Sequence, residues 1–230
     1  MKHTPGPLAI IGRRALHAMF RLSGAPRYLP PLGLKIDLGC GAAKKAGFIG
    51  IDAVPGPGVD HVVDVEREPL PFVNDSVGHV FSSHCVEHLS APTRVFKELT
   101  RVACDGGLLE IWTPFVWHSD MWLPGHVTPM SSELYLHMGH RYRDIYAREF
   151  GASWRLLELT VVTRRSTIAS LALRGIGPAF AFRHLHDVFY EVGALIRVEK
   201  TATTQGTPRG YWGFDRDPQA RLPLLSWPTH

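Results

Sequence analysis

The sequence predicts an α/β protein built on a mostly parallel β-sheet, and two observations lead to this class. From Leu34 onward, short apolar runs alternate with turn residues, and several of these runs are apolar on both faces, as buried parallel strands are. An amphipathic segment precedes the last of these runs, so that a strand, a crossover helix and a second strand follow one another.

The predicted elements follow in order along the chain. Residues 8–22 place apolar side chains at helical intervals, and Gly and Pro residues end this helical arm. The central strands come next, with an amphipathic helix over 91–103. The strand candidates are LKIDLG, FIGID, DHVVDV, GHVFSS and GLLEIWTP between residues 34 and 114, and later WRLLELTVV and ALIRVEKTATT, which flank a helical stretch around 179–193.

An irregular stretch rich in Trp, His and Pro follows Pro114 and leads into a helix that begins at Ser131 or Ser132. Loops of this length in a compact domain are usually functional, so a lid is expected here. A length of 230 residues with 45% hydrophobic residues fits one domain. Its predicted parts are the helical arm 1–33, the cofactor-binding half 34–114, the lid or substrate insertion 115–150, and the C-terminal half with its tail 151–230.

Composition narrows the classes of location and partner. Three cysteines, and an N-terminal stretch unlike a secretion signal, indicate a reducing cytoplasm. No window holds 18 uncharged apolar residues, so a membrane span is not expected. The formal charge of +4 comes from scattered Lys and Arg, which disfavours a nucleic-acid partner.

One short motif, His84-x-x-Glu87-His88, lies within the stretch SSHCVEHL. The spacing is typical of inverted zinc peptidases, in which two His on one helical face hold the metal and the Glu acts as a base. The apolar run VFSS directly before His84 predicts a strand instead of that helix. A zinc peptidase is therefore disfavoured, and the motif is expected at the end of a strand.

Acidic residues stand at the ends of three successive strand candidates, at Asp37, Asp52 and Asp64. The turn Gly39-Cys40-Gly41 follows the first, and its glycines let the backbone approach a ligand. A third glycine at the dinucleotide spacing is missing, which disfavours a pyrophosphate-containing cofactor. Asp37 suits a cationic group, Asp52 the ribose hydroxyls and Asp64 an adenine amino group. Together they indicate a neutral or cationic nucleoside without phosphate.

The ordered segments resemble a known family. DLGCG, GID, a DVE segment leading into PLPFVNDSVGHVFSSHCVEHL, and FKELTRVACDGGLLEIWTP are similar to the class I S-adenosylmethionine-dependent methyltransferases, especially a small bacterial subgroup with the EH-L ending after strand four. The resemblance covers about residues 34–114. It implies a Rossmann-like, seven-stranded, mostly parallel sheet with one antiparallel edge strand. It also implies that S-adenosylmethionine is held by Asp37, Gly39, Cys40 and Gly41 at the methionine end, by Asp52 at the ribose, and by Asp64 and Val65 at the adenine, with His84 beside it.

The chain departs from the family between its first two strands. Only the residues CGAAKKAG lie between DLG and FIG, fewer than a parallel crossover usually needs. The first helix is therefore expected to be a single turn or so. Lys44 and Lys45 in this segment are expected to be solvated surface charges.

The resemblance places catalytic candidates near the donor's methyl group. His84 is a candidate general base, because an unperturbed His pKa near 6.5 leaves it neutral at cell pH; a plain hydrogen bond to backbone is the alternative. Glu87 is a second candidate that also shapes the turn. His126 is a further candidate, because residues 124–129 of this chain resemble the end of a His-containing stretch found in the subgroup. Asp120 or Glu87 could bind a hard cation such as Mg²⁺, and a turn-capping role for Asp120 stays open.

Several histidines are expected near the strand ends, where they could remove a proton from the acceptor. This favours an oxygen acceptor, because a hydroxyl is a poor nucleophile until its proton is being removed. The expected reaction is O-methylation of a small-molecule or oligosaccharide substrate, such as a precursor of a methylated polysaccharide. Methylation of a natural-product phenol or amine is the alternative within the same fold. An RNA-binding methyltransferase and a non-catalytic module that binds S-adenosylmethionine are alternatives of other classes.

Aromatic residues suggest two further surfaces. Trp117 and Trp122, with the neighbouring Trp112 and Phe115, are expected either to pack the lid or to stack on a sugar face. A homodimer is expected to use the arm at 8–22 and a tail that carries Tyr211, Trp212 and Trp227.

Overall fold

The computed structural model describes residues 28–201, 203–204, 206–218 and 221–224. These residues form one nine-stranded sheet in the order β3-β2-β1-β4-β5-β7-β6-β8-β9. The strands are β1 Leu34–Leu38, β2 Ile49–Asp52, β3 His61–Val62, β4 Val77–Ser83, β5 Ala103–Pro114, β6 Ser153–Thr163, β7 Phe189–Glu199, β8 Arg209–Gly213 and β9 Leu222–Pro223. The helices are α1 Pro92–Val102, α2 Ser132–Leu136, α3 Arg143–Phe150, α4 Arg165–Ala172 and α5 Pro178–His184.

The first five strands in the sheet order are parallel to one another. After β3 the chain crosses to the other side of β1, so the order in which strands are added reverses between β1 and β4. It adds β2 and β3 on one side of β1 and then returns to add β4 and β5 on the other. Open α/β sheets bind ligands outside the carboxyl ends of their strands at such a switch point. The predicted α/β class is confirmed, and the topology locates the expected site.

The sheet differs from the predicted one in two respects. The antiparallel strand β7 lies between β5 and β6 and not at an edge. Beyond β6, β8 and β9 add two strands to the expected seven, because the tail segment RGYWG pairs with β6 and buries Tyr211 and Trp212. These two aromatic side chains therefore pack inside the chain, whereas the arm at 8–22 and Trp227 lie outside the described residues.

Helix α1 covers one face of the sheet, as its sequence predicts. Pro92 occupies its first turn, where a missing N–H costs nothing. Its apolar stripe buries Val95, Phe96 and Leu99 completely or nearly so. None of the helices in the described part of the chain has the length and apolarity to cross a membrane.

Two predicted helical stretches are shorter than expected. The crossover at 39–48 contains turns and no helix. The stretch predicted over 179–193 divides into α5 and the start of β7, because FYEVGALIRVE is apolar on both faces and completes the centre of the sheet. By contrast, α2 begins as predicted, with the hydroxyl of Ser131 accepting a hydrogen bond from the N–H of Leu134.

Candidate active site

Two adjoining cavities open at the carboxyl ends of strands β1 to β5, and both are lined by Gly39. We call the first, of about 360 Å³, the strand-tip cavity. The second, of about 610 Å³, is called the charged cavity. Lining residues of the strand-tip cavity include Leu38, Ile51, Asp52, Asp64, Val65, His84, His88 and Leu89. Those of the charged cavity include Asp37, Cys40, Lys45, Phe81, Ser83, Glu110 and Arg216.

The glycine turn after β1 forms the wall between the cavities. Gly39 and Gly41 have φ values of 68° and 55°, in the left-handed region that favours glycine. A Cβ on Gly39 would lie 2.4 Å from the Cβ of Cys85. The turn therefore requires glycine at this position, because Cys85 occupies the space that a side chain would need.

Asp52 is held in place by two backbone donors. Its Oδ2 accepts a hydrogen bond from the N–H of Gly41 at 2.8 Å, and its Oδ1 accepts one from Val54 at 3.0 Å. Each carboxylate oxygen has a second lone pair for a ligand. Asp64 lies on the same cavity and accepts a hydrogen bond from the N–H of Glu66 at 3.1 Å. The structure thus brings two of the three predicted acids into one cavity.

Asp37 and Lys45 line the charged cavity and are joined by a hydrogen bond. Burial raises the pKa of Asp37, while a hydrogen bond from the N–H of Lys45 at 2.6 Å and the Lys45 charge act in the opposite direction. The Nζ of Lys45 lies 3.0 Å from Oε2 of Glu110 and 3.7 Å from the ring centroid of Phe81. The prediction of a solvated Lys45 is therefore wrong, because the short crossover folds this residue back over the sheet. Lys44 pairs with Asp60 at the surface, 2.5 Å away.

His84 lies at the tip of β4 in a left-handed conformation, with φ of 54°. Its Nε2 lies 2.8 Å from Oε1 of Glu191, and its Nδ1 lies 3.2 Å from Oε1 of Glu87. Glu191 first, and then Glu87, raise the pKa of His84 to about 9, against the opposing effect of burial. The expected ordinary pKa of His84 is therefore wrong. Near neutral pH the imidazole carries two protons and has no lone pair to act as a base.

Glu191 and Arg216 complete this group and were missed in the sequence. Arg216 donates hydrogen bonds to both carboxylate oxygens of Glu191 and to Oγ of Ser83, the last at 2.9 Å. Burial raises the pKa of Glu191, but His84 and Arg216 outweigh it, and the net shift is downward. A single acid within the apolar run FYEVGALI was the available signal for Glu191. Arg216 had none, because its partners lie far away in the sequence.

Glu87, His88 and His126 form a second group, at the far side of His84. Glu87 is fully buried on the short 3₁₀ turn Val86–His88. One potential ligand atom from each residue lies within 4.8 Å of the others. The structure thus brings His126, from the loop after β5, close to Glu87. His84 and His88 do not share a helix, which agrees with the rejection of a zinc peptidase.

Asp120 lies apart from this group, on the 3₁₀ turn Ser119–Trp122. Its Oδ2 is 3.3 Å from Nδ1 of His118, which also accepts the N–H of Asp120 at 3.2 Å. Among the described residues, the one group of three candidate ligands contains Glu87 and not Asp120. The Mg²⁺ site predicted at Asp120 gains no support, and this residue belongs to a local turn.

The four aromatic residues at the end of β5 and in the loop after it divide into two sets by exposure. Trp112 and Phe115 are buried and pack the core. Trp117 and Trp122 are 48% and 67% exposed, and Leu123 beside them is exposed as well. The loop therefore exposes apolar side chains, and the Trp117 ring stands edge-on to His186, with centroids 5.1 Å apart.

Comparisons with known proteins agree with this architecture. The sequence profile of the family described as "Methyltransferase domain" matches residues 49–111. No curated protein matches the sequence. An S-adenosylmethionine-dependent methyltransferase from Archaeoglobus fulgidus is similar in structure, with 12% identity, coverage of 84% of this chain and 95% of its own, and a TM-score of 0.51.

Two further solved structures are similar to a lesser degree. The S-adenosylmethionine-dependent methyltransferase from Mesorhizobium loti has 18% identity, covers 80% of this chain and 96% of its own, and gives a TM-score of 0.45. A chain from the complex of the Haloferax volcanii Trm112 methyltransferase activator with a methyltransferase has 17% identity, coverage of 83% and 90%, and a TM-score of 0.47.

At such low identities the structural likeness shows the fold alone, and the fold is that of the class I methyltransferases. The enzyme class comes from the sequence match to the methyltransferase domain, and the chain is a methyltransferase, as the sequence predicts. S-adenosylmethionine is the methyl donor that this fold implies.

Proposed function

We propose that the chain is an O-methyltransferase that binds S-adenosylmethionine across the two cavities and methylates a hydroxyl of a saccharide or a similar polar metabolite. One observation carries the donor assignment: Asp52 and Asp64 stand at adjacent strand tips in a cavity with otherwise largely apolar walls. Ligand sites commonly combine apolar walls with a few placed polar groups.

The strand-tip cavity fits the adenosine part of the donor. Leu38, Ile51 and Leu89 supply apolar surface for the flat adenine. The fixed carboxylate of Asp52 has lone pairs for the ribose hydroxyls, in hydrogen bonds that its charge strengthens. Asp64 is assigned to the adenine amino group, and Val65, which lines the same cavity, would contact the adenine.

The charged cavity fits the methionine end, which carries one charge of each sign. Asp37 would accept hydrogen bonds from the ammonium group, and Lys45 or Arg216 would bind the carboxylate. Gly39 lines both cavities, so the chain of atoms that joins the two halves of the donor would pass this residue. The residues present therefore fit the donor that the fold implies.

When bound, the sulfonium supplies the methyl group, and the protein holds donor and acceptor in line. Such positioning can contribute ~7–11 kcal/mol to catalysis. His84 lines the strand-tip cavity, with Glu87 beside it and His126 beside the lining residue His88. This group is assigned to binding the acceptor hydroxyl, and the protonated His84 is not its base. Exposed Trp117 and Trp122 offer flat surfaces on which a sugar ring can stack, which supports a saccharide acceptor.

Calorimetry with S-adenosylhomocysteine tests the donor site. Asp52→Asn keeps the shape but removes the charge, so its affinity should fall about 10- to 100-fold, as expected for loss of hydrogen bonds to a charged group. Asp144→Asn, on the exposed start of α3, is the matched control and should bind like the wild type. Equal affinity of the Asp52 variant and the wild type would contradict the assignment.

A transfer assay forms the second arm of this test. The enzyme is incubated with isotopically labelled donor and panels of saccharides, phenols, amines and RNA, and the products are identified by mass spectrometry. Labelled methyl ethers of saccharides are the expected products. Transfer confined to phenols or amines would favour the natural-product alternative, transfer to RNA would favour the nucleic-acid alternative, and donor binding without any transfer would favour a binding module.

A further inference from the structure

We propose that Glu87, His88 and His126 form a binding site for a divalent transition-metal ion, with Zn²⁺ as the best chemical match. Two imidazole nitrogens and one carboxylate oxygen lie within 4.8 Å of one another. This donor set is found in catalytic zinc sites that keep a fourth position open, and other divalent ions of the first transition row accept it as well.

The carboxylate of Glu87 is the strongest indication of a ligand. It is fully buried, and neither of its oxygens has a hydrogen-bond partner. Its Oε1 lies 3.2 Å from Nδ1 of the His84 imidazolium, without a hydrogen bond, and its Oε2 has no partner. A buried carboxylate needs a paired charge or a metal ion to offset its lost hydration. His84 supplies part of that charge beside Oε1, and an ion bound through Oε2 would supply the rest.

His88 is oriented as metal-binding histidines usually are. Its Nδ1 lies 3.0 Å from the carbonyl oxygen of Gly125. A carbonyl only accepts, so Nδ1 must carry the proton and Nε2 must carry the lone pair. A backbone carbonyl on the other ring nitrogen is a common second partner of zinc-bound histidine.

His126 brings the third ligand atom from the lid. Its Nδ1 is buried and has no hydrogen-bond partner. Its ring stands edge-on to His88, with centroids 4.7 Å apart. A nitrogen without a partner in this position is explained if it binds the same ion as His88.

The backbone around the three ligands is already fixed. The carbonyl of Glu87 accepts hydrogen bonds from the N–H groups of Val127 and Thr128 at 2.8 and 3.0 Å. Tetrahedral zinc at about 2.0–2.1 Å from its ligands separates them by about 3.3 Å. Side-chain rotations that move each ligand atom by about 1 Å would therefore bring the three atoms to this spacing without moving the backbone.

A buried water is the competing explanation for the unpartnered carboxylate. Tyr135 and Thr113 also have buried hydroxyls without hydrogen-bond partners, and Glu87 lies close enough to Tyr135 to add to the upward pKa shift that burial causes. A water bridging these groups would satisfy Glu87 but would leave Nδ1 of His126 unexplained. The two explanations differ in whether the chain binds a metal.

A catalytic role for the ion rests on the proposed function. His88 lines the strand-tip cavity, so the open coordination position would lie beside the donor. A hydroxyl bound there loses its proton more readily, and that proton passes to solvent. As the oxygen bonds to the methyl carbon, the carbon–sulfur bond breaks and its electron pair stays on sulfur, which gives S-adenosylhomocysteine.

A metal-binding titration tests the proposal. It uses the full chain without an affinity tag, after chelation has removed any bound metal. Co²⁺ titration should give visible absorption that saturates at one ion per chain, and Zn²⁺ should abolish it. Glu87→Gln and His126→Asn should each weaken binding at least tenfold. His118→Asn, on the same loop but outside the group, is the matched control and should bind like the wild type.

Several outcomes would overturn the site. Absence of stoichiometric binding by the wild type would favour the buried water, and binding unchanged in both variants would place the ion elsewhere. Circular dichroism and S-adenosylhomocysteine binding show whether each variant is folded, and His126→Asn, in the partly exposed loop, remains informative if Glu87→Gln does not fold. Metal binding without S-adenosylhomocysteine binding would refute the proposed function and leave the metal site intact. S-adenosylhomocysteine binding without metal binding would refute the metal site and leave the proposed function intact.

Discussion

Glu110 shows how a single acidic residue is stabilised in its charged form within the sheet. Its carboxylate lies 3.0 Å from Nζ of Lys45 and 3.4 Å from Nε2 of His79, and it accepts the indole N–H of Trp112 at 2.9 Å. Burial alone would raise its pKa. These three neighbours outweigh burial and lower the pKa of Glu110 to about 2.

We predict a pH-dependent contribution of Glu110 to stability. Its folded pKa lies below the unfolded value, so the contribution is complete above about pH 4.5 and is lost as the pH falls towards 2. The full contribution is about 3 kcal/mol, of which about 1 kcal/mol should be lost between pH 6 and pH 3.5. Urea unfolding of the wild type and of Glu110→Gln at both pH values measures this loss. A stability difference that does not change with pH would contradict the prediction.

The residues of the site could be predicted only where a local pattern marked them. Asp37, Asp52 and Asp64 were found because each follows an apolar strand, and His126 because its surroundings resemble a subgroup motif. The altered pKa of His84 could not be found this way, because it depends on Glu191, which lies 107 residues away.

At the scale of elements, the contact between β5 and β7 depends on a glycine. Gly193 stands directly opposite Trp112 in the antiparallel register. A Cβ on Gly193 would lie 2.4 to 2.6 Å from ring atoms of Trp112, which is itself buried. The indole therefore occupies the space that any other residue at 193 would need.

We predict that Gly193→Ala destabilises the protein by about 1–3 kcal/mol, since the buried ring cannot move without disturbing the core. Gly177→Ala is the matched control, because Gly177 is exposed and has no atom within 4 Å of an added Cβ. It should change stability by about 0.5 kcal/mol or less. Urea unfolding compares both variants with the wild type, and an unchanged Gly193 variant would show that the contact is looser than described.

Most elements could be predicted from periodicity, and the exceptions have physical reasons. Strands β1, β2, β4, β5 and β6 and helix α1 carry clear apolar patterns. Strand β7 was placed too late, because its first residues also fit a helix until the pairing with β5 and β6 is known. Strands β8 and β9 were missed because a segment rich in Gly and Pro forms strands only where an existing edge offers partners.

At the scale of the molecule, one buried ion pair joins α3 to the far end of the sheet. Arg143 donates to Oε2 of Glu199 at 2.6 Å and to Oγ of Ser153 at 2.8 Å. It also donates to the carbonyl oxygens of Trp154 and Thr204, at 3.2 and 2.8 Å. Through this residue a helix, two strands and the connection to β8 are held together.

We predict that Arg143→Leu lowers the free energy of unfolding by about 3–5 kcal/mol, because it leaves Glu199 buried without its main partner. The double variant Arg143→Leu/Glu199→Leu should recover part of this loss. Arg148→Leu, exposed on the same helix, is the control and should have little effect. Urea unfolding measures the stability of the three variants. Equal stability of Arg143→Leu and Arg148→Leu would show that the Arg143–Glu199 pair contributes little.

The unusually brief connection between β1 and β2 has a consequence for how the enzyme acquires its activity during synthesis. Asp52 and Gly41 meet across 11 residues, whereas Arg216 reaches Ser83 across 133. Closing a longer loop costs more entropy, so we expect the strand-tip cavity to assemble early and the Arg216 side of the charged cavity to assemble last. A nascent chain would then complete the proposed adenosine site before the proposed methionine site.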